Sequence, residues 1–345
     1  MTEPLAFGLI GAGAIAQTYP SIFDGLEEAH VAAVADIRPE AAGSLAEALG
    51  CEAHDSWENL NDRVHLDAVI VCTPPATHAE VAMHFLTRGT AVLCEKPLAI
   101  DLATARELTA ASEAHGTLLT MASKFRYVQD VIRAKSILAS GILGDIILFE
   151  NVFASRAEMS QRWNSNPAIS GGGVLIDNGT HSVDIIRYFL GPIAEVLAVE
   201  GKRVQSWRWR TPCRCSSGPS AASVARSTCR GAWTRNATAT SRSTVPMARC
   251  ASVGTSRKYR QATSQDWVVF GSGYDKVAAM RAQVENFCRA LRGQEMLLIT
   301  AEDAVASVAV MEKAYVSLAQ SRWAEVGDVE ITAQPPSLMS RRDAV

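Results

Sequence analysis

The sequence predicts an α/β chain of two domains: an N-terminal doubly wound parallel sheet, then an α+β domain built on a large, open, mostly antiparallel sheet. Three observations carry this. Apolar runs of strand length alternate with helical stretches over the first 122 residues, a glycine-rich turn follows the first of those runs, and beyond that point the alternation gives way to longer strands with few helices. The expected division is 1–122, 123–333 and a disordered tail over 334–345. A chain of 345 residues is too long for one ordinary core, which agrees.

The first thirty-six residues organise the rest. An apolar run from Leu5 to Ile10 stops at GAGAIA, Gly11 to Ala16, and a second run, Val31 to Ala35, ends on Asp36. Strand, tight turn, helix and strand follow one another, as in a Rossmann dinucleotide-binding unit. Gly11 and Gly13 lack Cβ, so the backbone through Ala14 and Ile15 can approach a phosphate pair and offer it N–H donors. Ala16 is small enough to let the helix lie close to the strand. Twenty residues later, the Asp36 carboxylate stands where it accepts hydrogen bonds from the adenosine ribose and repels a 2′-phosphate, which favours NAD. Arg38 offers that phosphate a guanidinium, so NADP stays open.

Further along, Pro39 to Leu49 reads as a helix and Asp67 to Val71 as a buried strand running into Cys72-Thr73-Pro74-Pro75. Open parallel sheets bind ligands at this strand edge, so Thr73 and Pro74 are expected to line the dinucleotide. His78 either joins them or is a cap or packing histidine before the helix Ala79 to Arg88. Ala91 to Cys94 is a short strand that delivers Glu95-Lys96-Pro97 to the same edge, Asp101 caps a helix through His115, and Thr117 to Ala122 closes the sheet. Lys124, Arg126 and Tyr127 come next, where they either touch substrate hydroxyls or tie the domains together.

In the second domain, Val128 to Ser140 is helical, Ile146 to Ser155 is a long strand, and Trp163 lies in a polar loop where its indole either stacks on a sugar ring or packs. The string GGGVLIDNGTHSVDIIRYFLG then opens a helix near Asp177. At helical spacing Asp177, His181 and Asp184 share one face. Lys276 to Arg292 and Ala301 to Ala319 are the last helices.

GAGAIA with Asp36, CTPP, EKP and GGGVLIDNGTHSVD, in this order, together resemble the Gfo/Idh/MocA family of sugar and cyclitol oxidoreductases, from residue 5 to about 200 and again from near 270. The resemblance implies NAD as cofactor, a polyol, cyclitol or sugar as substrate, and Lys96, Asp177 and His181 as the catalytic set. It also implies a homodimer or homotetramer formed through the exposed face of the second sheet, if that sheet is intact. The chemistry agrees: a base must take the hydroxyl proton as hydride leaves carbon, and imidazole suits that near neutral pH. His181 would be the base, Lys96 would steady the alkoxide, and Asp177 would orient a neighbouring hydroxyl. Glu95 and Lys96 also border the cofactor. The rival within the family is a glycoside hydrolase that uses tightly held NAD, and a third reading is an inactive product of a frameshifted gene. A role in aminoglycoside or deoxysugar biosynthesis is the narrower expectation.

A net charge of −3 argues against nucleic acid as a partner, and no apolar stretch reaches the roughly eighteen residues of a membrane span. With its first strand so near Met1, the chain is expected to be cytoplasmic, and its eight cysteines lack disulfide or metal-site spacing. Neither metal nor disulfide is expected.

One stretch is anomalous. Residues 202–258 contain no Asp, Glu, Leu, Ile or Phe, although the chain holds 36 acidic residues, while twelve of the 33 Lys and Arg and four of the eight Cys fall there. At the composition of the remaining chain roughly seven acids should occur. Rereading RSTCRGAWTRNATA one base upstream, with G/C-rich codons, yields VDLSWSLDKERDSY, an alternating strand pattern. The segment reads as a frameshift, and irregular structure lacking several sheet strands is expected there.

Overall fold

The computed structural model describes residues 3–146, 148–155, 166–200, 213–218, 224–231, 249–253, 256–261 and 263–327. Its first part alternates β1 (Leu5–Ile10), α1 (Tyr19–Phe23), β2 (Ala29–Ala35), α2 (Pro39–Leu49), β3 (Glu52–His54), α3 (Leu60–Arg63), β4 (Ala68–Val71), α4 (Pro75–Leu86), β5 (Ala91–Glu95), α5 (Leu102–His115) and β6 (Leu119–Ala122). All six strands are parallel, in the order β3-β2-β1-β4-β5-β6. The order reverses between β1 and β4, which leaves a crevice at their C-terminal ends. Both faces of the sheet are covered, so β4 (AVIV) and most of β5 are continuously apolar rather than alternating.

Local differences from the sequence reading have local causes. A 3-10 turn at Ala16–Thr18 leads into only five α-helical residues, and Gly25 at φ +68° ends that excursion. Helix α4 starts at Pro75, four residues earlier than expected, because proline's fixed φ suits a first helical turn while Pro74 stays extended before it. The three-residue edge strand β3 and the one-turn α3 are too short to show a period.

The second part contains α6 (Gln129–Ala139), β7 (Leu148–Ser155), α7 (Pro167–Ser170), α8 (Val174–Leu190), β8 (Glu195–Glu200), β9 (Cys213–Gly218), β10 (Val224–Gly231), β11 (Arg249–Val253), β12 (Ser256–Arg260), β13 (Val268–Gly271), α9 (Lys276–Leu291), α10 (Ala301–Gln320) and β14 (Ala324–Glu325). Five strands pair as β14-β8-β9-β10-β7, antiparallel except for β10 against β7, and three more form the antiparallel set β11-β12-β13. The sheet is thus open and mostly antiparallel, in two pieces. Leu175, Val183 and Ile186 of α8 pack with Val196 and Ala198 of β8 and Val310, Met311 and Ala314 of α10.

The anomalous segment departs from expectation: β9, β10 and β11 lie wholly within 202–258 and β12 mostly so. Strand ladders are made by backbone groups, which a change of side chains leaves in place. The rest of that window, Trp163 and the tail lie outside the described residues.

Packing does not follow the linear division at residue 122. Met280, Val284, Phe287 and Cys288 of α9 join Phe7, Leu9, Ile70 and Leu93 on one face of the parallel sheet, and Ala304, Val305 and Val308 of α10 join Val92, Leu108 and Met121 on the other. Arg126 and Tyr127 belong to this tie. The Arg126 guanidinium, 4% exposed, bonds the carboxylates of Asp184 at 2.7 Å and Asp303 at 2.8 Å, and the Leu298 carbonyl at 3.2 Å. Tyr127 donates its hydroxyl to Asn286 Oδ1 at 2.9 Å. Of the two readings for these residues, the geometry favours the tie, because both side chains are buried and spent on protein partners.

Asp184 is itself buried and accepts a hydrogen bond from Ser123 Oγ at 2.6 Å. Replacing it by Ala strands a desolvated guanidinium, so Asp184→Ala should cost about 3–5 kcal/mol in urea unfolding. A loss under about 1 kcal/mol would show that Arg126 is compensated by Asp303 alone.

Candidate active site

The crevice is built at the ends of β1, β2 and β4. Gly11 has φ +94°, and a Cβ there would lie 2.9 Å from Cys72 C and Thr73 N, so the two turns meet backbone to backbone. Gly13 is different. A Cβ on it meets nothing within 4 Å, so its glycine serves no internal packing and leaves the turn open to a ligand's approach. Ala14 and Ile15 continue that turn. The Ala12 N–H donates to Asp36 Oδ2 at 2.7 Å, while Arg38 donates from Nε to Oδ1 and from its terminal nitrogen to Oδ2, both at 3.0 Å. Burial raises the Asp36 pKa, but the Arg38 guanidinium and the two backbone donors outweigh it and hold the carboxyl below its ordinary value. Arg38, its side chain 60% exposed, covers the carboxylate that a ribose would engage. These residues fit an adenosine diphosphate moiety.

Of the two readings for His78, its surroundings fit the packing one. Its ring is 1% exposed, with Nδ1 at 2.7 Å from the Pro97 carbonyl and Nε2 at 2.8 Å from the Thr73 carbonyl. Both nitrogens are occupied by protein carbonyls, so the packing reading fits and direct cofactor contact does not.

Beside the crevice, β5 carries Glu95 and Lys96 to its end. Lys96 Nζ pairs with the Asp177 carboxylate and donates to the Asp177 carbonyl at 3.0 Å, which joins the parallel sheet to the first turn of α8. One turn on, His181 is 6% exposed, its ring edge-on to Phe125 at 4.9 Å. Phe125 in turn lies against Tyr274 at 5.3 Å. Burial pushes the His181 pKa well below 6.5, and the charges of Lys96 and Lys124 push it further. Glu95 is raised by burial despite Lys124 and Lys96, and Lys124 is lowered by burial and by its neighbours Lys96 and Lys276 despite Glu95. Tyr274 is pushed up to about 12 by burial and by the charges of Asp275 and Glu95.

The structure therefore brings Lys96, Asp177 and His181 together, with Glu95 and Lys124 in the same electrostatic neighbourhood. Asp184, third on the helical face, turns to Arg126 instead. Phe125, Tyr274 and Lys276 escaped the sequence reading, because an aromatic contact between a post-strand turn and a loop 149 residues further on has no period or motif to mark it.

A parallel sheet split at its switch point, with Lys96 at the next strand's end paired to Asp177 of α8 and the His181 imidazole one turn further along that helix, fits a dinucleotide-binding site. The chain belongs to the Gfo/Idh/MocA family. Residues 5–123 match the oxidoreductase family's NAD-binding Rossmann fold, and residues 131–273 match the GFO/IDH/MocA C-terminal domain. Inositol 2-dehydrogenase of Rhizobium meliloti is 30% identical over 190 residues, 54% of each chain, and D-glucoside 3-dehydrogenase of Escherichia coli is 31% identical over 194 residues, 55% of each. The chain thus matches about half the length of these relatives. Among solved structures, levoglucosan dehydrogenase in complex with NADH and levoglucosan superposes with TM-score 0.83 at 18% identity, covering 94% of this chain and 99% of that one. GenD2 from gentamicin A biosynthesis, in complex with NAD, has TM-score 0.79 at 23% identity, covering 95% and 98%.

His78 and His181 both have pKa values lowered by burial. In the unfolded chain they titrate near 6.5, so below that pH the unfolded state takes up protons that the native state refuses. Stability should fall as pH drops from 6.5 toward the native values, by up to about 1.4 kcal/mol per pH unit per histidine, and be unaffected by them above it. Urea midpoints at pH 7.5 and 5.5 check this. If His181→Asn shows the same acid loss as the parent, His181 is not a source of it.

Proposed function

We propose that the protein is an NAD-dependent dehydrogenase acting on a secondary alcohol of a cyclitol or sugar. The observation that carries this reading is the convergence of Lys96, Asp177 and His181 beside the crevice that Gly13 leaves open. When bound, the nicotinamide supplies the hydride acceptor. His181, its pKa lowered by its surroundings, would act in its neutral form as the base for the hydroxyl proton. Lys96, braced by Asp177, places positive charge where alkoxide character develops. Asp177 keeps one carboxylate oxygen for a neighbouring hydroxyl, since its pairing with Lys96 uses Oδ1. The inositol and glucoside dehydrogenases among the relatives support the substrate class, and the GenD2 likeness, one of fold alone, is compatible with an aminoglycoside pathway.

A second reading is favoured by one relative, the 2,7-anhydro-N-acetylneuraminate hydratase of Mediterraneibacter gnavus, 25% identical over 204 residues. Hydration involves no net oxidation. A panel of inositols, sugars and glycosides with NAD separates the two: accumulating NADH absorbance supports the dehydrogenase, and product release without NADH supports a redox-neutral reaction such as glycoside cleavage.

Two further parts belong to this reading. Residues 202–258 are a frameshifted passage of the gene, a reading supported by the missing acids and by relatives that match only about half the chain; DNA sequencing across the segment tests it, and restoring the frame should raise activity. An intact chain associates as a dimer or tetramer through the second sheet, which sedimentation showing only monomer would refute. No described helix is long and apolar enough to cross a membrane.

Asp36→Ala should weaken NAD binding and relax discrimination against NADP, since charge-assisted hydrogen bonds worth roughly 1.5–3 kcal/mol each are lost together with repulsion of a 2′-phosphate. An unchanged cofactor ratio by fluorescence titration would move the role to Arg38.

His181→Ala should lower kcat by about 10²–10⁴-fold while NAD affinity stays nearly intact. The acidic limb of the rate profile reports protonation of this base, and sequence alone places it near neutrality; burial moves it to lower pH. Lys96→Ala should also lower kcat, but removing its charge raises the His181 pKa, so the limb moves up in pH. A His181→Ala enzyme with the parent's kcat would relocate the base.

A further inference from the structure

Lys96, Lys124 and Lys276 share one end of the parallel sheet, and among the described residues only Lys96 has a carboxylate bound to it. Lys276, the first residue of α9, donates from Nζ to the neutral hydroxyl of Thr18 at 2.8 Å, on the segment that follows the glycine turn. Lys124 lies two residues beyond β6, whose last residue, Ala122, is paired with Glu95 at the end of β5. The Lys124 ammonium makes no hydrogen bond and no ion pair among the described residues. It stands 5.6 Å from the centre of the Phe125 ring, and that ring meets His181 edge-on at 4.9 Å.

Taking an ammonium partly out of water without a bound counter-charge is costly. The charges that act on Lys124 are Glu95 and Asp177 on one side of the balance and Lys96 and Lys276 on the other. Asp177 is already engaged by Lys96, and burial pushes the Glu95 carboxyl toward its protonated form. The balance at this place is therefore positive. We propose that Lys124 is an anion-binding residue of the substrate site, so that the alcohol oxidised carries a carboxylate or phosphate group. The proposal rests on the dehydrogenase reading for the identity of that site. Thr18 holds Lys276 toward the dinucleotide turn, whereas Lys124 neighbours His181 through Phe125, which assigns the anion to the substrate rather than to the cofactor. Such a group would accept a charge-assisted hydrogen bond from Nζ. An amino sugar would instead bring a fourth positive charge.

Calorimetric titration of the NADH-loaded protein reads affinity without turnover, because an alcohol and a reduced cofactor do not react. The probes are D-glucose with D-glucuronate and D-glucosamine, D-galactose with D-galacturonate and D-galactosamine, and myo-inositol with myo-inositol 1-phosphate. In the series that binds most tightly, the anionic member should exceed its neutral partner by roughly 10–100-fold, the range of one hydrogen bond between charged groups. Lys124→Gln should bring the two within about threefold of each other, Lys124→Arg should keep most of the preference, and NADH affinity should stay within about twofold in both. Inorganic phosphate, which has no ring to misfit, should bind the same complex saturably and about tenfold more weakly after Lys124→Gln. Lys124→Met, which keeps the apolar stem, replaces a Lys124→Gln protein that does not fold.

The proposal is overturned if a neutral or amino member binds best, if the uncharged variant keeps the preference, or if phosphate binds parent and variant alike or not at all. Loss of NADH affinity in Lys124→Gln would assign the ammonium to the cofactor's pyrophosphate and overturns it too. Where no ring compound binds, the phosphate comparison decides. Failure of the dehydrogenase reading appears separately, as no NADH formed from NAD with any of these alcohols, and leaves the binding comparison standing because that comparison needs no turnover.

Discussion

The site depends on a close approach of two main chains. At Gly11 the turn after β1 presses against the Cys72–Thr73 peptide at the end of β4, a contact that a methyl group would break and that only a residue at ease with φ +94° can make. Sheet topology brings those turns together, since crossovers of fixed hand lead outward in opposite directions from β1 and β4 and leave no helix over the gap between them. Asp36, Thr73 and Lys96 all reach the same edge because parallel strands end on the same side.

Around that edge the protein keeps charge in poorly solvated places, and the balance between burial and pairing differs for each group. Asp36 is held ionised because two backbone N–H groups and two guanidinium nitrogens outweigh its loss of water. Glu95 has lysines near it, yet burial still prevails. For His181, burial and the charges of Lys96 and Lys124 act in the same direction and hold its pKa well below the ordinary histidine value. A carboxylate, a lysine and a histidine therefore sit within one neighbourhood in different protonation regimes, set by desolvation as much as by partner.

Most of the parallel sheet was legible in the sequence because its strands are buried on both faces and its turns carry Gly, Pro or a capping Asp. Asp101 caps α5 through the Thr104 N–H as its position implied, and the face shared by Asp177 and His181 followed from helical period alone. What could not be read were contacts between distant segments. Nothing in the spacing of Arg126 announces Asp184 and Asp303 as its partners, and nothing about His78 announces Pro97, since such pairings exist only after strands have been set side by side. The strands of the anomalous segment escaped for another reason. Composition governs what a strand packs against, while its ladder depends on peptide groups that every residue but proline supplies.

The return of α9 and α10 to the first sheet makes the first domain discontinuous in sequence: its cores draw on early and late segments, with all of the second sheet except β14 inserted between them. Phe7 meets Phe287 edge-on, at ring centroids 6.1 Å apart, across a sequence separation of 280 residues. Closing so long an excursion costs little more entropy than closing one half its length, about 0.6 kcal/mol per doubling. During synthesis the parallel sheet must wait with both faces partly bare until α9 and α10 emerge, so it is completed after most of the second sheet has been made even though its own strands come first. The arrangement also separates fates: errors confined to the inserted sheet leave the parallel sheet packed by residues read before and after them.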